Sequence, residues 1–242
     1  MDSRRFSVGE GRTNVSAVEH IPENEAEGTV VFCHGFGSDK EGSYERRCDF
    51  MAENDFRAVR FDFRGNNESA LDFEEADLST RIEDLQRVLS EVADGKTMVY
   101  GSSFGGLVAL HTAVLTEMVD FLALRAPVTY MEALDDIRDT IEDEGVYQHI
   151  PGKKIGKEFV RDLENYSTEK IIEELETPVL IMHGNEDSVV PIELSKKFFR
   201  RINCRKKFKE FGGQGHRFDE EADFQALNSA KEWFEEVSGE GS

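Results

Sequence analysis

Thr97-Met98-Val99-Tyr100-Gly101-Ser102-Ser103-Phe104-Gly105-Gly106-Leu107-Val108-Ala109-Leu110-His111-Thr112-Ala113-Val114 decides the fold of this chain. Its first four residues form a strand-like run, and residues 107–114 read as a buried helix. Between them, Gly101-x-Ser103-x-Gly105 has the spacing of a nucleophile elbow, a tight, strained strand-to-helix turn that lifts a hydroxyl clear of a sheet. Residues two before and two after the serine crowd each other in such a turn, so both must be small. Gly101 and Gly105 satisfy this for Ser103, whereas Ser102 has Tyr100 and Phe104 at the same offsets. The bland alternative is a glycine-rich turn without chemistry; the flanking strand and helix favour the elbow.

Outward from this stretch, strand and helix alternate. Upstream, residues 6–21 suggest a hairpin turning at Gly9-Glu10-Gly11, and Thr29–Cys33 is a continuous apolar run typical of a buried parallel strand. A helix is expected over Ser43–Asn54, a strand over Arg57–Phe63, and a helix over Leu78–Ala93, where Ile82, Leu85, Val88, Leu89 and Val92 keep helical spacing. Downstream, strands are expected at Phe121–Pro127, Pro178–Met182 and Lys206–Phe211, with helices at Pro191–Ile202 and Asp219–Val237 and a disordered tail from Ser238 to Ser242. This alternation predicts an α/β fold, a mostly parallel central sheet with helices on both faces. Residues 128–177 are charged and helical in outline, with a break at Ile150-Pro151-Gly152. They read as a small helical cap inserted into a single domain spanning residues 1–242.

Composition narrows the partners. The chain has 29 Lys+Arg against 50 Asp+Glu, a net charge of −21, which disfavours nucleic acid and anionic membrane surfaces. A high-salt cytoplasm, as in a haloarchaeal source, and an ordinary acidic cytosolic protein both fit such a charge. The three cysteines, Cys33, Cys48 and Cys204, provide no disulfide framework and fit a reducing compartment. No signal peptide or membrane-spanning run is evident, so a cytoplasmic location is expected. The oligomeric state is open, with a homodimer among the options.

A serine nucleophile needs a base, and the base an orienting acid. His216 follows the last strand in a glycine-rich loop and is the expected base; His183 ends a strand and is expected to shape its turn, while His111 is expected to pack. His20 and His149 are placed in loops without evident partners. The acid belongs between serine and histidine in sequence; Asp187, four residues past His183, is chosen over its neighbour Glu186. Two backbone amides should hold an oxyanion: Phe104, directly after the nucleophile, and Phe36, in the loop after Cys33.

Ser103, Asp187 and His216 in that order, with His34-Gly35-Phe36-Gly37 upstream, resemble the α/β-hydrolase superfamily. Asp62-Phe63-Arg64-Gly65-Asn66-Asn67-Glu68-Ser69 is similar to the Asp-x-Arg-Gly-x-Gly-x-Ser stretch of its monoglyceride-lipase-like and serine-aminopeptidase-like branch, departing at Asn67, where that pattern has glycine. His34-Gly35-Phe36, Lys40-Glu41-Gly42-Ser43 and the short cap are similar to cinnamoyl and feruloyl esterases and their archaeal relatives. The resemblance implies a serine hydrolase of small-molecule carboxylic esters working through an acyl-enzyme, with neither metal nor organic cofactor required.

Rival substrates on the same residues are aminoacyl, thioester and monoglyceride compounds. An aminopeptidase would want cap carboxylates such as Glu132, Asp135, Asp136, Glu142, Asp143 and Glu144; a lipase would want the apolar stripe Met131, Leu134, Ile137 and Ile141. Tyr130 and Tyr147 are candidates to hydrogen-bond a phenolic substrate. From another class, a non-catalytic binding protein on this fold would be expected to lack one of the three residues, and a metal hydrolase using His183, Asp187 and His216 would leave the elbow unexplained.

Overall fold

A computed structural model describes residues 2–239. Eight strands form one sheet: β1 (Asp2–Val8), β2 (Val15–Ile21), β3 (Gly28–Cys33), β4 (Phe56–Phe61), β5 (Thr97–Ser102), β6 (Phe121–Arg125), β9 (Val179–Gly184) and β10 (Lys206–Phe211). Their order is β1-β2-β4-β3-β5-β6-β9-β10. The hairpin β1–β2 and the β2–β4 pair are antiparallel, and every other pair is parallel. β3, β5, β6 and β9 are buried along their whole length, which is why they read as continuous rather than alternating apolar runs.

Side chains alternate between the two faces, and each face has its own core. Val31, Val59, Val99 and Leu122 pack under α2 (Leu78–Val92) and α3 (Phe104–Leu115), while Val30, Phe32, Met98, Tyr100 and Ala123 pack under α1 (Ser43–Glu53) and α8 (Glu220–Gly239). The register is direct, with Val99 opposite both Val31 and Leu122. Asp77 caps α2, its side chain accepting a hydrogen bond from the Thr80 amide at 2.8 Å. The remaining large helix, α7 (Ile192–Arg201), begins directly after Pro191.

The insertion differs from a purely helical cap. It holds α4 (Asp135–Glu144), a two-stranded antiparallel hairpin of β7 (Val146–Ile150) and β8 (Lys153–Gly156), then α5 (Lys157–Leu163) and α6 (Thr168–Glu174). The break at Pro151-Gly152 is the turn of that hairpin, with Gly152 at φ 82°. Proline presets the first turn position and glycine takes the left-handed one, so a signal that also ends helices here reverses a strand. His20 and His149 lie in strands β2 and β7 rather than in loops. The last helix runs through Gly239, beyond Val237 and into the expected tail, whose residues 240–242 lie outside the described part.

Candidate active site

β5 ends at Ser102, and Ser103 makes the turn into α3 with φ 54° and ψ −120°, a conformation costly for any residue with a Cβ. The bracketing glycines are forced by contact. A Cβ on Gly101 would lie 2.8 Å from the Gly105 carbonyl, and one on Gly105 would strike the Cys33 and His34 carbonyls at 2.4 and 2.5 Å. Gly105 is therefore required by the end of β3 rather than by Gly101. The Ser103 amide donates to the Arg125 carbonyl at 3.0 Å, and its own carbonyl accepts from Gly106 and Val128 at 2.9 and 3.1 Å, which pins the strained turn to the end of β6.

Ser103, His216 and Asp187, far apart in sequence, meet at the carboxyl ends of β5, β9 and β10. Ser103 Oγ lies 3.0 Å from His216 Nε2, and His216 Nδ1 lies 2.8 Å from Asp187 Oδ2. Asp187 Oδ1 accepts the Val189 and Val190 amides, both at 2.9 Å, and Oδ2 is also 3.1 Å from His183 Nε2. His183 Nδ1 in turn lies 2.9 Å from Ser195 Oγ. Burial would raise the Asp187 carboxyl, but hydrogen bonds from His183, His216 and the Val190 amide outweigh it and hold the group well below the usual carboxylate range. An ionised carboxylate on Nδ1 leaves Nε2 free to take a proton from the serine hydroxyl. Glu186, the competing acid, is exposed, and its amide donates to the Gln214 carbonyl at 2.9 Å.

Phe36 and Phe104 flank the serine. A Cβ placed on Gly35 would lie 3.9 Å from Ser103 Oγ, so the loop after β3 passes directly over that hydroxyl. His34 fixes that loop: Nδ1 donates to the Gly35 carbonyl at 2.9 Å while Nε2 accepts the Phe63 amide at 3.2 Å. Burial pushes His34 down to about 4, which keeps this neutral arrangement at ordinary pH. Because the Gly35–Phe36 peptide is trans, a carbonyl turned toward His34 turns the Phe36 N–H the other way.

Some neighbours escaped sequence reasoning. Arg81 is 2 % exposed, and its guanidinium stands 5.4, 5.4 and 5.7 Å from the Phe36, Phe73 and Phe104 ring centroids. Burial lowers it to about 10, so it remains a cation. Its position was readable, since 81 falls on the buried stripe of α2 with 78, 85 and 88. The cap hairpin, unforeseen, holds the Phe36 loop: Lys153 Nζ donates to the Gly37 carbonyl at 2.7 Å and to Asn66 Oδ1 at 2.8 Å. The His149 ring lies 5.2 Å from that of Phe36 and leaves no room for a Cβ at Gly37. Phe159 of α5 covers both Phe36 and Phe104, with centroids 5.5 and 5.9 Å away.

A cavity of about 830 Å³ opens onto Ser103 and His216. Tyr147 lines it; Tyr130 does not. Tyr130 instead faces α7, its ring 4.0 Å from Lys197 Nζ and its hydroxyl accepting from Arg201 at 3.4 Å, because those cations offer a buried phenol better partners than the cavity does. Of the expected cap carboxylates only Asp136 reaches the cavity wall. Asn67, where the resembling motif has glycine, adopts φ 42°, a conformation asparagine tolerates better than most residues. The same motif is structural: Asp62 pairs with buried Lys40 at 2.6 Å, and Ser69 Oγ donates to the Asp62 carbonyl at 2.7 Å. Among the described residues no helix is long and apolar enough to cross a membrane.

Comparison with known proteins agrees with this fold. Residues 42–241 match the model of the prolyl oligopeptidase family. Mitochondrial palmitoyl-protein thioesterase ABHD10 of Pongo abelii is 25% identical over 222 residues, covering 82% of this chain and 70% of the relative. Among solved structures, Est1E from Butyrivibrio proteoclasticus with ferulic acid bound superposes with a TM-score of 0.80 at 20% identity, covering 93% of this chain and 96% of that one. The mouse alpha/beta hydrolase domain-containing protein 10 superposes with a TM-score of 0.79, also at 20% identity, covering 97% and 99%.

Proposed function

The chain belongs to the prolyl oligopeptidase family of α/β-hydrolase-fold proteins, and from that premise we propose that it is a serine hydrolase cleaving carboxylic esters of small molecules. One observation carries the reading: Ser103 Oγ, His216 and Asp187 form an unbroken hydrogen-bonded line at the floor of a cavity, with contacts of 3.0 and 2.8 Å. His216 takes the Ser103 proton as Oγ attacks the ester carbonyl. The Phe36 and Phe104 amides hold the oxyanion, and Asp187 orients the imidazole and stabilises its cation. His216 then protonates the departing alcohol, and water releases the acyl group by the same relay.

The apolar cap wall, with Val128, Leu134, Ile137 and Phe159, supports an acyl-chain substrate over an aminoacyl one. Of the cap carboxylates an amine would need, Asp136 alone lines the cavity, while Glu132 is tied to Lys197 and Asp135 to Arg138. A thioester is the second reading, favoured by the similarity to a relative named as a thioesterase. The test is a panel of nitrophenyl acyl esters, methyl ferulate, acyl thioesters and aminoacyl nitroanilides, with Ser103→Ala alongside. Ester turnover that the variant loses, by a factor on the order of 10⁴ to 10⁶, is the expected result. Turnover of nitroanilides alone, or a variant as fast as the parent, overturns the reading.

A further inference from the structure

The cavity has a second wall, built by α1, α8 and the ends of β5 and β6 rather than by the cap. On this wall stand Arg47, Arg125, Ser102 and Asp223, and exposed Arg46 and Glu220, one charge of each sign, also line it. Arg47 is 5 % exposed and grips Asp223 with two bonds, Nε to Oδ2 and Nη2 to Oδ1, both 2.8 Å. Its third nitrogen, Nη1, is buried and has no acceptor among the described residues. Arg125 is 9 % exposed; Nη1 donates to the His216 carbonyl at 3.2 Å, and Nε stands 3.9 Å from Asp223 Oδ1, beyond hydrogen-bond reach. Among the described residues Ser102 Oγ is buried without a partner, and so is the Tyr100 hydroxyl, on the same face of β5 two residues earlier.

Two guanidinium groups thus share one carboxylate inside a cavity, leaving one net positive charge and several idle donors. A buried cation without a full counter-charge is costly, and in a chain of net charge −21 a cationic pocket wall runs against composition. One monoanion with two acceptor oxygens would balance the charge that Arg47 and Arg125 leave uncompensated by Asp223. Guanidinium donors fit carboxylates in this way. A dianion would overcompensate and meet the Asp223 carboxylate. Ser102 is the residue next to Ser103, and Arg125 touches the backbone of His216, so the wall adjoins the reacting atoms.

We propose that this wall is a carboxylate subsite, and that the preferred substrates are esters carrying a free carboxylate a short distance from the scissile bond. The proposal rests on the hydrolase reading above. It is tested by comparing kcat/KM for the 4-nitrophenyl monoesters of succinate, glutarate and adipate with neutral 4-nitrophenyl acyl esters of matched length. A second series, 4-carboxyphenyl acetate against phenyl acetate, places the charge on the leaving side. We expect the anionic ester to be favoured at least about tenfold in one series, and Arg47→Met to bring that ratio close to one. Lys207→Met, a charge change on exposed β10, should leave the ratio untouched. Equal rates in both series, or a preference that survives Arg47→Met, overturns the subsite.

Because Arg47→Met strands Asp223 and could fail to fold, binding is measured separately on Ser103→Ala. Monomethyl glutarate, a monoanion at neutral pH, should raise its melting temperature in a saturable way, and more strongly than inorganic phosphate. No shift at tens of millimolar, or a stronger shift with phosphate, contradicts a carboxylate site. This arm requires no turnover, so it separates failure of the subsite from failure of the hydrolase reading.

Discussion

The two walls of the cavity are built by different means. The cap wall is an insertion, and its aromatic and aliphatic side chains, Phe159 above all, lie over Phe36 and Phe104. The other wall belongs to the sheet and its flanking helices, and places Arg47, Arg125 and Asp223 in the same cavity as Ser103. One wall offers area without direction, the other a fixed charge. An apolar wall grades substrates by length, at about 0.8 kcal/mol per buried methylene, whereas a charged wall sorts them by the presence of a single group. A hydrolase with both should be selective for the charge and tolerant of the chain.

Both walls flank the hydrogen-bonded line of Ser103, His216 and Asp187. Asp187→Asn keeps the shape but offers His216 an amide, so kcat should fall by a factor on the order of 10⁴ on neutral and anionic esters alike. A fall confined to one class would mean that the walls, not the relay, limit the rate. Lys153→Met cuts the tie from the cap hairpin to the Gly37 carbonyl. We expect kcat to drop about tenfold for every ester as the Phe36 amide loses its fixed position, with KM little changed; an effect on KM alone would place Lys153 in substrate binding. Phe159→Ala strips the cap wall and should cost about tenfold in kcat/KM on long neutral acyl esters while leaving the anionic-to-neutral ratio at matched length unchanged. If that ratio moves too, the two walls are not independent.

A last effect lies outside the cavity and is read in stability rather than in rate. Burial lowers His111 to about 4, against an ordinary value near 6.5. The unfolded chain therefore binds the proton more readily than the native one, and stability falls as pH drops from 6.5 toward 4. At pH 5 the loss is on the order of 2 kcal/mol. Urea titrations at pH 7 and pH 5 should show a difference that shrinks by that amount in His111→Phe, with kcat/KM at pH 7 unchanged. An undiminished difference would mean that His111 is not the group being titrated.

How much of this was legible depends on the range of the signal. The strands β3, β5 and β9 announce themselves as apolar runs, and the elbow is encoded within five residues, so both could be read directly. His216 and Asp187 were legible because each sits just past a strand end. The cap hairpin was not: Pro151-Gly152 ends a helix as readily as it turns a strand, and only the pairing of Tyr147 with Ile155 decides. Tyr130 was misplaced because sequence gives no direction to a side chain whose partners, Lys197 and Arg201, come from a helix some seventy residues on. The arginine wall was out of reach for the same reason, with Arg47 and Asp223 separated by 176 positions. Local steric requirements write themselves into sequence, whereas long-range charge balance does not.

The account stands on one atom, Ser103 Oγ, and a neighbouring serine offers an internal control. Ser102 is buried without a base, while Ser103 is 3.0 Å from His216. The protein should be treated with a fluorophosphonate and the adduct located by peptide mass mapping, in the parent and in His216→Ala. A single adduct on Ser103, formed rapidly in the parent and slowed at least about a hundredfold without the histidine, is the predicted result. No adduct, an adduct on Ser102, or labelling of Ser103 indifferent to His216 would contradict the account.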